Sequence, residues 1–295
     1  CKMPFYDENV YAAMGLCSVR GVGANMFAQL CKTFGSAKGV LNADAETLAQ
    51  ALGNDMAQKI ANSLQGDAID KKLESCEKLG IAILVYGTRE YPARLLDIYS
   101  PPPILFVSGT IETQDDRAVA IVGTRRPTHY GIRACENICT NLAAAGVTIV
   151  SGLAAGIDGE AHRAALSANG RTIAILGSAI DNIYPANHKT LAAQIIEHGA
   201  LISEYAPGTP THPSNFPHRN RIISALSLGV LVVEAGLKSG ALITAQHAAE
   251  QGREVFAVPG TLFAESSTGT NKLIKDGAKC VTTAQDILDA LSMPA

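Results

Sequence analysis

Two passages of strand, glycine turn and helix follow each other between Ala118 and His162, and they constrain the fold more than any other stretch. Ala118-Val-Ala-Ile-Val122 is a continuous apolar run that stops at Gly123-Thr-Arg-Arg126. Beyond Pro127 a helical pattern of Ile132, Cys135, Ile138, Cys139 and Leu142 runs to Gly146. A second apolar run, Val147-Thr-Ile-Val150, breaks into Ser151-Gly-Leu-Ala-Ala-Gly156, and another helix starts near Asp158. Strands joined in this way pair in parallel, so both turns fall on one edge of one sheet. Open α/β sheets take ligands in crevices at the carboxyl ends of their strands. Glycine lets backbone approach a ligand closely, and N–H groups at a helix start attract anions. That edge is suited to phosphate.

The same alternation covers most of the chain. Apolar runs recur at 81–85, 104–107, 118–122, 147–150, 172–176, 200–203, 229–233, 254–258 and 279–282. Helical patterns separate most of them, at 129–145, 158–169, 187–198, 240–251 and 284–291. Runs without polar alternation indicate a sheet covered on both faces. The expected fold is α/β: an enlarged Rossmann-like, doubly wound, mostly parallel sheet of about nine strands over residues 81–295.

Residues 1–80 read as a small all-helical domain. Short helices run from Tyr11 to Cys17 and from Asn25 to Phe34, and further starts fall at Ser36, Asp44, Asp55 and Asp67, each a residue able to cap a helix. Between the first two helices, Ser18-Val-Arg-Gly-Val-Gly23 has the glycine spacing of a helix-hairpin-helix, whose amides can grip a DNA phosphate. A packing turn is the preferred reading, because Arg20 is its only nearby cation and phosphate binding usually needs several. The chain begins at Cys1 rather than Met, so its native start is expected upstream. It stops soon after Leu291, which is expected to leave no room for a further domain.

A net charge of −3 excludes a uniformly basic nucleic-acid binder, so any polyanion site must be a local patch. No apolar run reaches the roughly 18 residues of a membrane span, and no secretory signal is visible. Seven cysteines are scattered without a CxxC pair or other metal spacing, which reads as reduced thiols in a cytoplasmic protein. Gly123 to Gly131 does not follow G-x-G-x-x-G, and G-x-x-x-x-G-K-[ST] occurs nowhere, which weakens NAD, FAD and P-loop ATP chemistry. No cofactor, metal or catalytic residue is expected.

Asn215-Phe-Pro-His-Arg-Asn-Arg221 is a cationic island in this acidic chain. No Asp or Glu lies between Tyr205 and Val233, whereas His212, His218, Arg219 and Arg221 do, around Phe216. Cations on a backbone and a ring on a base are the chemistry of single-strand recognition. The competing reading puts Phe216 in the core and pairs the arginines with distant carboxylates. Arg125 and Arg126, at the carboxyl end of the central strand, face the crevice and suit phosphate oxygens; the competing reading, a surface ion pair, weighs more on Arg126 than on Arg125. Asp158 and His162 are one helical turn apart and offer an acid and a histidine. No nucleophile or metal pattern accompanies them, and Asp158 falls where a helix cap belongs, so both read as structural. Two later glycine turns, Glu234-Ala-Gly-Leu-Lys-Ser-Gly-Ala241 and Gly269-Thr-Asn271, fit anion-cradling loops.

Together these segments resemble the DNA-processing protein A family, also called DprA or Smf. Ala120-Ile-Val-Gly-Thr-Arg125 looks like its G-[ST]-R turn, and Ser151 to Asp158 with Ala161-His162 like its S-G-x-A-x-G-I-D-x-x-A-H signature. Tyr184-Pro185, Asn187, Ser203-Glu204, Phe216-Pro217 with Arg219-Asn-Arg221, Glu234 with Ser239-Gly240 and Thr244-Ala245 continue in order. Val258-Pro-Gly260 and Gly269-Thr-Asn271 with Leu273-Ile274 and Gly277-Ala278 complete it. The helical N-terminus is similar to the family's sterile-alpha-motif-like domain, and Tyr91-Pro92 to the start of its enlarged Rossmann domain.

The resemblance implies a non-enzymatic binder of single-stranded DNA acting in natural transformation. Such a protein protects incoming strands, helps load the recombinase RecA and forms a homodimer through its Rossmann domain. Many relatives also carry a C-terminal winged-helix-like domain, which this chain is expected to lack. Carried onto matching positions, Arg125, the turn of Ser151, Gly152, Leu153, Ala154, Ala155 and Gly156, and Phe216, Arg219 and Arg221 line the DNA pocket. The turns at Gly123-Thr124 and Ser239-Gly240, with Asn220, are expected on the same edge, and Lys189 adds to the rim. Two rivals remain, a nucleotide hydrolase and a sensor of a small nucleotide. The Arg-and-Phe island favours a polymer, because it lies outside a minimal mononucleotide crevice.

Overall fold

The computed structural model describes residues 6–62 and 68–293, so Cys1 and the helix start expected at Asp67 lie outside the described residues. Contacts divide the chain into two compact units, one up to Val107 and one from Ser108.

The first unit is mainly helical: α1 (Glu8–Ser18), α2 (Ala24–Phe34), α3 (Ala37–Asn42), α4 (Ala45–Leu52), α5 (Asn54–Ala61) and α6 (Ala68–Lys78). Its starts follow capping chemistry. Asp7, Ser36 and Asp44 each accept the backbone N–H three residues on, which satisfies one of the donors a helix start leaves open. The fifth helix departs from expectation: Gly53 is its N-cap, and Asp55 lies inside its first turn. The Ser18–Gly23 turn folds back on itself, with Val22 N–H donating to Val19 O and Gly23 N–H to Gly21 O. Gly21 has a φ of +107°, and the Met56 methyl group lies 2.9 Å from where a Cβ would stand. After the helices, β1 (Ala82–Val85) and β2 (Ile104–Gly109) pair antiparallel, with Ala82 opposite Val107.

The second unit alternates strand and helix. Its elements are β3 (Ala118–Val122), α7 (His129–Ala144), β4 (Thr148–Ser151), α8 (Ile157–Ser167), β5 (Thr172–Leu176), α9 (Lys189–His198) and β6 (Gly199–Ser203). Then come α10 (Asn215–Ala225), β7 (Gly229–Val232), α11 (Ala241–Glu250), β8 (Glu254–Ala257), α12 (Thr268–Lys275), β9 (Lys279–Cys280) and α13 (Ala284–Ala290). The seven strands lie in the order β6-β5-β4-β3-β7-β8-β9, every neighbouring pair parallel. With β1 and β2 the described residues hold nine strands, in an α/β architecture with a mostly parallel sheet.

Every residue of β3 to β7 is buried, as expected of strands covered on both faces. On one face Val119, Ile121, Ile149 and Leu231 pack under Ile138 and Leu142 of α7, Ala161 of α8 and Ile287 of α13. All six described cysteines are free thiols. No helix among the described residues is long and apolar enough to cross a membrane.

Two helices depart from the sequence reading. The 215–221 island is the first half of α10, a helix missing from the helical patterns read in the sequence; Pro213 and Pro217 hide its period, and Pro217 sits in the first turn, where a missing N–H costs nothing. Gly269-Thr-Asn271 lies within α12 and is no turn. Its glycine is needed for close approach: a Cβ on Gly269 would stand 2.6 Å from Ala235 O, the atom that accepts its N–H at 2.8 Å.

Candidate nucleic-acid cleft

From β3 the chain winds outward through β4, β5 and β6, then returns to place β7 on the other side of β3. Where strand order reverses in this way, loops at the carboxyl ends diverge and leave a crevice. A cleft of about 620 Å³ lies there, lined by Val122 to Arg125, Ala154, Asp158, the α10 residues Phe216, Arg219 and Asn220, and the turn from Gly236 to Ala241.

The turns are stitched together by backbone. Thr124 N–H donates to Glu234 O at 2.7 Å, and Ile157 N–H donates to Thr124 O at 3.2 Å. The Glu234 carboxylate is buried and accepts Thr128 N–H at 2.9 Å, which fixes the entry to α7. Asn220 Nδ2 donates to Gly240 O at 3.3 Å. Helices α8 and α11 open at this edge after Gly156 and Gly240, and their first amides are held locally, Ile157 N–H by Thr124 O and Ala241 N–H by Ser239 Oγ at 3.3 Å. A helix start leaves N–H groups without intrahelical partners and carries partial positive charge.

Arg219 organises the floor. Only 4% exposed, it donates from Nη1 to Gly152 O at 2.7 Å and to Ile175 O, so it ties the β4–α8 turn to the end of β5. Asp158 accepts Gly152 N–H at 3.2 Å. Burial pushes the Asp158 carboxyl above its ordinary value, against the pull of Arg219. Burial likewise lowers the Arg219 guanidinium to about 10, with Asp158 opposing, so it stays protonated at neutral pH. Asp158 is thus not the N-cap of α8, which is Gly156, but a buried acceptor beside Arg219. His162 is fully buried, its Nδ1 lies 2.6 Å from Thr172 Oγ1, and burial lowers its pKa to about 3. Acid and imidazole are each engaged elsewhere.

Phe216 is half-buried at the cleft wall. Its ring packs on the backbone of Gly177, lies under the Arg125 guanidinium at 5.9 Å, and meets the Tyr184 ring at 5.3 Å. Arg125, Arg219 and Lys238 are the cations of the lining; Asp158 and the exposed Glu265 are its carboxylates. Among the described residues no cluster of three or more His, Cys, Asp or Glu side chains is arranged to hold a metal ion.

The family model for DNA recombination-mediator protein A matches residues 82–292, which include every turn of this cleft. The chain belongs to this family. DNA processing protein DprA of Bacillus subtilis is 44% identical over 224 residues, 76% of this chain and 75% of that protein. Protein Smf of Escherichia coli is 50% identical over 202 residues, 68% of this chain and 54% of the relative, so the chain spans about half of that protein's length. The X-ray structure of DNA processing protein A from Streptococcus pneumoniae superimposes with a TM-score of 0.83 at 33% identity, over 95% of this chain and 97% of that one. The structure of DNA processing protein A from Helicobacter pylori, described for its single-stranded DNA binding mode, gives 0.64 at 32% identity, over 72% of this chain and 95% of that one.

Within this family member the fold gathers Gly123, Thr124, Arg125, Ala154, Phe216, Arg219, Asn220, Ser239 and Gly240 into one cleft. Other expected site residues do not line it. Ser151 is buried and donates from Oγ to Ile121 O at 2.6 Å, and Leu153 lies in the core beside Leu191 of α9. Gly152 backs Arg219, while Ala155 and Gly156 turn the chain into α8. Lys189 is exposed at the start of α9. Arg221 is 5% exposed and holds Glu204 with two hydrogen bonds of 2.5 and 2.7 Å. The expectation of Arg221 as a cation facing the strand is corrected accordingly: its carboxylate partner lies one residue before the acid-free window. Burial raises the Glu204 carboxyl, but hydrogen bonds from Arg221 and His218 outweigh it and hold the group below its ordinary value. Sequence reasoning takes Lys238 and Tyr184 only as members of a glycine turn and a proline motif and gives them no site role of their own.

Proposed function

We propose that this chain binds single-stranded DNA in the cleft at the β3–β7 switch point. The observation that carries the reading is the convergence of Arg125, Lys238 and the start of α11 with the Phe216 ring in one groove. Cations and the positive end of a helix attract successive phosphates, and aromatic rings take bases. Neither contact reads base identity, so binding is expected to tolerate most sequences. The Helicobacter pylori relative, described for its single-stranded DNA binding, supports the choice of ligand.

Family membership supports the wider reading. It comprises a non-catalytic, cytoplasmic role in natural transformation, with protection of incoming strands, delivery to RecA and a homodimer formed through the α/β unit. The test of the core claim is a gel-shift series with single- and double-stranded oligonucleotides at two salt concentrations. Single strands are expected to shift preferentially, with log affinity falling by about 0.7 per decade of salt for each phosphate neutralised. Equal or stronger retention of a small mononucleotide would overturn it in favour of a nucleotide sensor.

A further inference from the structure

Phe216, the ring that lines the cleft, is half-buried. A Cβ on Gly177 would stand 2.6 Å from its ring, and the Arg125 guanidinium carbon lies 5.9 Å from its centroid. Tyr184 is placed differently. Its ring meets Phe216 at a centroid distance of 5.3 Å with the planes inclined at 51°, yet the residue is 52% exposed. Contact with Phe216 holds the ring at the cleft wall while about half of the residue stays open to water.

We infer that Tyr184 is a further nucleobase subsite, resting on the single-strand reading of the cleft. A base leaving the cleft past Phe216 stacks on Tyr184, and the strand continues along the β5–α9 segment toward Lys189 at the start of α9. A tyrosine suits this task, since it offers a large flat surface with only two side-chain torsions to fix. Stacking on it is indifferent to base identity. The path also accounts for a lysine at the start of α9, exposed and outside the cleft.

The chain contains no tryptophan, so Tyr184→Trp creates a single fluorescent reporter at the subsite. Its emission is expected to fall saturably with oligothymidylate and to stay unchanged with inorganic polyphosphate, which offers charge but no base. Tyr184→Ala is expected to lower affinity for oligothymidylate by about 5- to 150-fold, the range of one base–aromatic stack, with an unchanged salt slope. Tyr184→Phe should bind as the unaltered protein does, which separates loss of the ring from loss of the hydroxyl. A Tyr184→Trp protein that shifts the oligonucleotide without any change in emission would overturn the inference, as would wild-type affinity in Tyr184→Ala. Failure of the unaltered protein to shift any single strand would remove the cleft reading and this subsite together; a normal shift with silent Tyr184 variants would remove the subsite alone.

Discussion

The guanidinium of Arg219 occupies the space that a Cβ on Gly152 would need: its two terminal nitrogens lie 2.5 and 2.6 Å from that point, and an Asp158 oxygen at 2.6 Å. Three atoms of two side chains, from α10 and α8, therefore close on a position that only glycine fills. Removing Arg219 leaves Asp158 buried without its cation, which typically costs about 3–5 kcal/mol. Arg219→Ala is expected to melt at markedly lower temperature than the parent, and adding Asp158→Asn to recover part of the loss. Gly152→Ala is expected to destabilise as well, because the guanidinium has no room to withdraw. Thermal unfolding of the four proteins checks this; a double variant no more stable than Arg219→Ala would show that the two residues do not act as a pair.

Arg125 and Arg221, though both were read as phosphate ligands, separate by their surroundings. Arg125 is exposed and lines the cleft, so Arg125→Ala should leave stability unchanged, weaken single-strand binding and flatten the salt slope by about 0.7. Arg221 is spent on Glu204, so Arg221→Ala should lower stability by about 3–5 kcal/mol, as for any broken buried pair. Its salt slope should remain that of the parent. Equilibrium titrations at several salt concentrations, paired with melting curves, distinguish the two. A flattened slope in Arg221→Ala would return that residue to the binding surface.

Phe216→Ala removes a ring and no charge. Weaker binding to oligothymidylate is expected, with the salt slope intact, and a modest loss of stability because the ring is half-buried against Gly177. Binding unchanged in a folded variant would assign Phe216 to the wall alone.

What could be read from the sequence was set by local physics. The β3–α7–β4–α8 unit was legible because unbroken apolar runs and a 3.6-residue period are properties of contiguous residues. Capping at Ser36 and Asp44 was legible for the same reason. Helix α10 was hidden behind two prolines and a polar face, and α12 behind Gly269, whose purpose is a contact with Ala235 in another loop. The site itself divided along the same line. Arg125 could be placed from its strand, but the fate of Arg219 depends on Gly152, 67 residues away, and that of Arg221 on Glu204. No window on the sequence contains both partners.

His162 couples stability to pH. It is fully buried, its Nδ1 is committed to Thr172 Oγ1, and its Nε2 has no partner. Burial, helped by the neighbouring charges of His188, Arg219 and Arg163, holds its pKa near 3 in the folded protein, whereas the unfolded chain has the ordinary 6.5. Between those values the unfolded state binds the extra proton, so stability is complete above pH 6.5 and declines as pH falls toward 3. The slope approaches about 1.4 kcal/mol per pH unit once the unfolded imidazole is fully protonated. His162→Gln keeps a polar group toward Thr172 but cannot take the proton. It is expected to be less stable than the parent at pH 7.5 and to lose less stability on acidification to pH 5. Denaturant titrations of both proteins at these two pH values measure the difference, and parallel declines would show that His162 is not the group responsible.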